Sequence, residues 1–199
     1  MRTKSILFTK PIKNFPERLI YRSSTPSKVP DGINGSKTFV YTYKMYDTKA
    51  KAVVGLMKAG PVNYKNKRCE VYPMDTPYNS YYISYLETAE SGYNYGTDLI
   101  NLAKNESMQS YCEGRVHLVA SRTFSPRRPP HLFYRKLGFQ TNSSFLNDVM
   151  DFYISIGEQI PWEYSGNVMM YTPVAIKNPK KRSIFSFMVN FLKEKFTKK

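Results

Sequence analysis

The sequence predicts a mixed α/β layer fold. Three observations predict it. Short β-branched and aromatic runs recur along the chain. One apolar stripe with helical spacing lies between two of them. Tyrosine, which suits strands and half-wet sites, occurs 17 times among 199 residues. Apolar residues make up 41% and charged residues 23%, a globular composition in a chain of one ordinary domain.

Residues 1 to 37 are rich in Pro, Lys and Ser and have few apolar residues at regular spacing. They read as a loosely packed arm, with at most a short strand or turn near Phe15 to Tyr21. From Thr38 the pattern changes. Phe39 to Tyr46 reads as a strand, Asp47-Thr48-Lys49 as a turn and Ala52 to Met57 as a second strand, together an antiparallel hairpin. Cys69 to Tyr72 reads as a short strand and Ser80 to Glu87 as a stronger one.

A loop with Gly92 and Gly96 then leads into a helix over Thr97 to Gln109, where Leu99, Leu102 and Ala103 sit at i, i+3 and i+4. Arg115 to Ser121 is a strand. Pro130 at the start and Gly138 at the end bound a short helix from Pro130 to Leu137. Phe145 to Ile156 and Val168 to Ile176 read as strand or mixed segments that complete the sheet. The helix between two of the strands acts as the crossover of a parallel pair.

The charge is +15, with 30 Lys and Arg against 15 Asp and Glu. Such a field attracts polyanions: nucleic acid, anionic lipid or a phosphate-bearing cofactor. Charge alone does not choose among them. Cys69 and Cys112 make no disulfide scaffold and have no zinc spacing, and His117 and His131 are too few for a His-rich metal site, so no metal is expected. No apolar run approaches the roughly 20 residues that span a bilayer. The stretch Ile6-Leu7-Phe8 is too short for a signal-peptide core, and Lys10 and Pro11 interrupt it, so a cytoplasmic protein is expected.

Two stretches carry the chemistry. Leu86 to Ile100 is a strand end, a Gly loop and a helix start. Backbone N–H groups of such a loop converge on one concavity, and the helix N-terminus adds partial positive charge, which suits a phosphate or pyrophosphate. By itself this signal is weak, because many such junctions bind nothing. The second stretch is His131-Leu132-Phe133-Tyr134-Arg135-Lys136-Leu137-Gly138-Phe139. Alone it reads as a C-capped amphipathic helix with Leu132, Phe133, Leu137 and Phe139 in the core.

In this order the pair resembles the GNAT N-acetyltransferase superfamily, over roughly residues 80 to 140. Phe133 to Phe139 is similar to the family's Phe-Tyr-x-Lys-x-Gly-Phe segment. Ser91 to Gly96 aligns with its Arg/Gln-x-x-Gly-x-Gly/Ala loop, which grips the CoA pyrophosphate. There are departures. Ser91 stands where the family has Arg or Gln, Asn94 stands at the first motif Gly, and Arg127 stands where an Asn is usual. Asn tolerates positive φ better than most residues, so the loop can survive the change.

The resemblance implies an α+β fold with a central mixed, mostly antiparallel sheet flanked by helices. It implies an N-acetyltransferase that passes an acetyl (acyl) group from acetyl-CoA to a primary amine by direct attack. The cofactor-binding residues it implies are Leu86, Thr88, Ser91, Gly92, Tyr93, Asn94, Tyr95, Gly96 and Thr97, with Arg127 and its neighbour Arg128 meeting a CoA phosphate. Tyr134 is the implied proton donor to the departing thiolate and Glu87 the implied base. A backbone N–H near Leu86 polarises the carbonyl. The family's first strand and two helices, which often form the acceptor site, have no match in the helix-poor N-terminal part. That site is reduced, replaced by residues 1 to 37, or completed by a partner.

In the C-terminal segment, Phe185, Met188, Leu192 and Phe196 recur at i, i+3, i+7 and i+11 among lysines, the pattern of a basic amphipathic helix. It fits a membrane-surface or nucleic-acid anchor, or a helix docked on the domain or on a second subunit in a homodimer. The expected organisation is an arm over 1–37, an acyltransferase domain over 38–178 and this helix over 179–199. Two alternatives stay open: a degenerate domain of the same fold that binds without catalysis, and a basic nucleic-acid-binding protein using its tyrosines for stacking.

Overall fold

A computed structural model describes residues 10–12, 15–30, 37–64, 78–89 and 92–173. The expectations for Cys69 to Tyr72, Ser91 and the C-terminal segment lie outside these residues. The strands are β1 (Lys10–Ile12), β2 (Phe15–Arg22), β3 (Ser27–Pro30), β4 (Lys37–Asp47), β5 (Ala52–Tyr64) and β6 (Tyr78–Thr88), followed by β7 (Val116–Ala120) and β8 (Val168–Tyr171). The helices are α1 (Tyr95–Gln109), α2 (His131–Lys136) and α3 (Ser144–Ile156). The sheet runs β1-β2-β4-β5-β6-β7-β8, with β3 paired to β4. Every pair is antiparallel except β6–β7, which α1 joins as a parallel crossover. This is the mixed, mostly antiparallel α+β architecture that the sequence leads one to expect. No helix of the described residues is long and apolar enough to cross a membrane.

Strand alternation places one face of the sheet under α1. Ile20, Tyr43, Met45, Met57, Ala59, Tyr81 and Ile83 form one buried cluster with Leu99, Ile100 and Ala103 of the helix. Two tyrosines in this layer have polar tips that need partners. The Tyr43 and Tyr81 hydroxyls lie 2.6 Å apart, and Tyr43 donates on to Glu106 of α1 at 3.3 Å. Burial pushes the Tyr43 hydroxyl up to about 12, so the chain of hydroxyls stays protonated.

The short strand expected near Phe15 to Tyr21 is β2, which pairs with β4 from Arg18–Asp47 to Arg22–Tyr43 and buries Arg18 and Ile20, so this part of the N-terminal stretch packs on the sheet. Its inward positions alternate, and one of them is an arginine. One expectation is corrected. Phe145 to Ile156 is not a strand but helix α3. The Ser143 side chain accepts the Leu146 N–H at 3.2 Å, and Gly157 ends the helix at φ 73°. Its aromatic and β-branched residues favour strand locally; the caps at both ends decide for helix.

Candidate acyl-CoA site

The site begins with an extra residue in β6. Lys58 of β5 pairs with Tyr85 and Ala59 with Ile83, so Ser84 is bulged out of register. Its hydroxyl donates to the Lys58 carbonyl at 3.2 Å and pins the bulge. Directly before the bulge, Tyr81, Tyr82 and Ile83 pair with Val116, His117 and Leu118 of β7. Past it the two strands share no ladder. β7 continues with Val119 and Ala120 against β8, while Tyr85 to Thr88 continue only against β5. The gap opens into a cavity of about 900 Å³ lined by both strands, the N-terminus of α1 and α2.

The closed end of the same strand pair is filled. His117 is fully buried, with Tyr64 Oη 2.7 Å from Nε2 and Ser80 Oγ 2.7 Å from Nδ1, and it stacks on Tyr82. Burial lowers this imidazole to about 3, so it is neutral. His131 at the start of α2 is also held below its ordinary value by burial, and its Nε2–H donates to the Gly166 carbonyl at 2.9 Å.

At the open end the helix terminus forms one wall. Asn94, at the N-cap, takes φ 60°, the left-handed conformation expected of its place in the loop, and its side chain makes no capping hydrogen bond. The first-turn residues Tyr95, Gly96 and Thr97 line the cavity, together with Asn94 and Gly92. Gly96 is required by a close approach: a Cβ there would lie 2.9 Å from Cζ of Phe133. The absence of a side chain lets α2 lie against α1. Tyr134, one residue on, is 7% exposed and lines the cavity. Burial pushes its hydroxyl up to about 12, and it makes no hydrogen bond to any described residue. Its proton is therefore held throughout the neutral range.

Leu86, Glu87 and Thr88 line the β6 wall. Glu87 is exposed and accepts the Tyr85 hydroxyl at 2.5 Å, and that bond is the main cause of the raised Tyr85 pKa. Of the residues singled out from the sequence, Leu86, Glu87, Thr88, Gly92, Asn94, Tyr95, Gly96, Thr97 and Tyr134 are brought together here. Tyr93 and Arg127 are not. Tyr93 is exposed and stacks on Tyr95 with 5.5 Å between ring centroids. Arg127 sits on the outer corner of a turn closed by Arg128 N–H to Ser125 C=O at 3.2 Å, and Arg128 is the arginine that lines the cavity, with Lys136.

Sequence reasoning missed the support beneath the loop. Arg18 of β2 pairs with the Asp98 carboxylate and donates to the Tyr93 carbonyl at 2.8 Å. Its guanidinium carbon lies 3.9 Å from the Phe15 ring centroid and 4.7 Å from that of Tyr95. Tyr95 donates its hydroxyl to Asp47 at 3.2 Å, and Asp47 also accepts the Lys49 and Ala50 N–H groups, which keep its pKa below the usual range. A single arginine some eighty residues before its partner leaves no local signal.

Comparison with known proteins adds similar structures but no family. No protein-family model matches the chain, and no curated protein does. Among solved structures it is similar to Arabidopsis thaliana NAA60 in complex with acetyl-CoA, at 15% identity over 66% of this chain and 74% of that one, TM-score 0.44. It is also similar to the NatC complex bound to Gag peptide and CoA, at 15% identity over 67% and 71%, TM-score 0.43. A histone acetyltransferase HPA2-related protein of Corynebacterium glutamicum is similar at 16% identity over 70% and 67%, TM-score 0.39. At such identities and scores the likeness says nothing about activity.

Proposed function

We propose that the chain is an acyl-CoA-dependent N-acyltransferase that moves an acetyl group from acetyl-CoA to a primary amine by direct attack. The observation that carries this reading is the gap between β6 and β7. It opens at the Ser84 bulge, presents the N-terminus of α1 on one side and has Tyr134 in its wall. An extended chain with amide groups finds unladdered strand edges there, and a diphosphate finds first-turn N–H groups with Arg128 and Lys136 nearby.

Acetyl-CoA supplies an activated thioester. The residues do the rest. Glu87 takes the proton of the ammonium acceptor, directly or through water, and frees the lone pair. The backbone N–H near Leu86 polarises the carbonyl as the new C–N bond forms. The C–S bond breaks, the acylated nitrogen releases its remaining extra proton to solvent, and the Tyr134 hydroxyl donates to the departing sulfur. With Tyr134 near 12 and an ordinary thiol near 8.5, complete proton transfer is uphill by roughly 5 kcal/mol. Tyr134 therefore acts first as a hydrogen-bond donor to the developing negative charge, and solvent completes the protonation. A cytoplasmic setting, and an amine acceptor supplied by a small molecule or a protein, belong to this reading.

The test is calorimetry with acetyl-CoA on wild type and Gly96→Glu, followed by an amine screen with Tyr134→Phe as control. One-site binding that Gly96→Glu abolishes supports the site. If neither acetyl-CoA nor a longer acyl-CoA binds the wild type, the reading fails.

A further inference from the structure

We infer that Arg18 is a positioning residue of the diphosphate site: it neutralises Asp98, so that the first turn of α1 offers its N–H groups without an opposing carboxylate. The inference rests on the function proposed above and names the regulator of that same site's charge.

The difficulty it resolves lies in α1 itself. Asp98 is the acidic residue of the helix's first turn, one position after Thr97 in the cavity wall. A carboxylate there suits the helix dipole, but it repels an anionic ligand bound to the same terminus. Arg18 sits across from it, 6% exposed, and the contact is little screened by solvent. The Phe15 and Tyr95 rings flank the guanidinium, which fixes its plane. The second arm of the fork reaches the Tyr93 carbonyl at 2.8 Å. One cation therefore ties the loop residue just before the turn at Asn94 to the helix after it, a bridge for which a planar fork is suited and a lysine is not.

Acetyl-CoA titrations by calorimetry on the full chain, with melting temperatures recorded in parallel, test the inference. Arg18→Met exposes the loop to the Asp98 charge and is expected to weaken binding about tenfold. Asp98→Asn alone should bind at least as tightly as wild type. The double variant should return to within about threefold of wild type. A structural role alone would restore the melting temperature in the double variant without restoring affinity, and that result overturns the inference. An unchanged affinity in Arg18→Met also overturns it. If Arg18→Met does not fold, the double variant is compared with Asp98→Asn: equal affinity supports the charge role, and a tenfold loss overturns it. Absence of binding by wild type overturns the acyltransferase reading itself, before any variant is compared.

Discussion

The parallel pair β6–β7 has two ends that behave differently. At one, Tyr81 to Ile83 zip onto Val116 to Leu118, and the space around them is filled by Tyr64, Ser80, Tyr82 and a neutral His117. At the other, the same strands part and leave a cavity of about 900 Å³. Both ends are built from aromatic and small polar residues, so composition does not separate them. What separates them is the single extra residue at Ser84, which ends the ladder, and the helix terminus aimed at the gap. Polar groups at the closed end are paired within the protein and confer stability. At the open end the first turn of α1, Tyr134, Arg128 and Lys136 line the cavity wall.

The largest effect expected is at the open end. Gly96→Glu drives a side chain into Phe133 and a negative charge into the helix terminus, and should weaken acetyl-CoA binding at least a hundredfold, about 3 kcal/mol, by calorimetry. If binding survives, the gap is not the cofactor site. Tyr134→Phe should next lower kcat by roughly 30- to 100-fold, about 2–3 kcal/mol, with the Kd for acetyl-CoA nearly unchanged. Because Tyr134 is raised to about 12, the wild-type rate should show no loss from its ionisation below about pH 11.

The closed end is broken by acid instead. His117 titrates near 6.5 when unfolded and about 3 when folded, so the unfolded state takes up the proton first. Stability is full above pH 6.5 and falls as the pH drops toward 3, by roughly 2 kcal/mol between pH 6.5 and 5. Denaturant midpoints across that range measure it. His131 is lowered too and adds to the same trend, so the share belonging to His117 is the part that His117→Asn removes. A smaller effect belongs to the boundary itself. Ser84→Ala loses the hydroxyl bond to the Lys58 carbonyl and should cost about 1 kcal/mol of stability by urea unfolding. A neutral result there would mean that the strand twist, rather than this bond, holds the bulge.

The strand–loop–helix order and the short helix ending at Gly138 were legible because each has a local cause: alternation, a 3.6-residue stripe, and capping glycines and prolines. The candidate site residues on those elements came from the resemblance of two short motifs rather than from periodicity. Asn94, which aligns with a motif Gly, is a residue that tolerates positive φ, and the structure has it at 60°. The sequence alone determined, then, the strand–loop–helix order and the crossover helix, while the motif resemblance pointed to residues of the loop and α2.

Tertiary structure alone decided the rest. It fixed residues 15 to 22 in the sheet with Arg18 buried, because β4 offered a pairing partner and Asp98 a counter-charge. It made Phe145 to Ile156 a helix, because caps at its two ends outweighed the strand preference between them. It chose Arg128 over Arg127 through one turn at Ser125, and it placed the bulge at Ser84, where nothing in the residue type marks it. These are contacts between segments far apart in the chain or choices among near-equal local conformations. Their free energies exist only once the sheet has formed, and so they leave no periodic trace in the sequence.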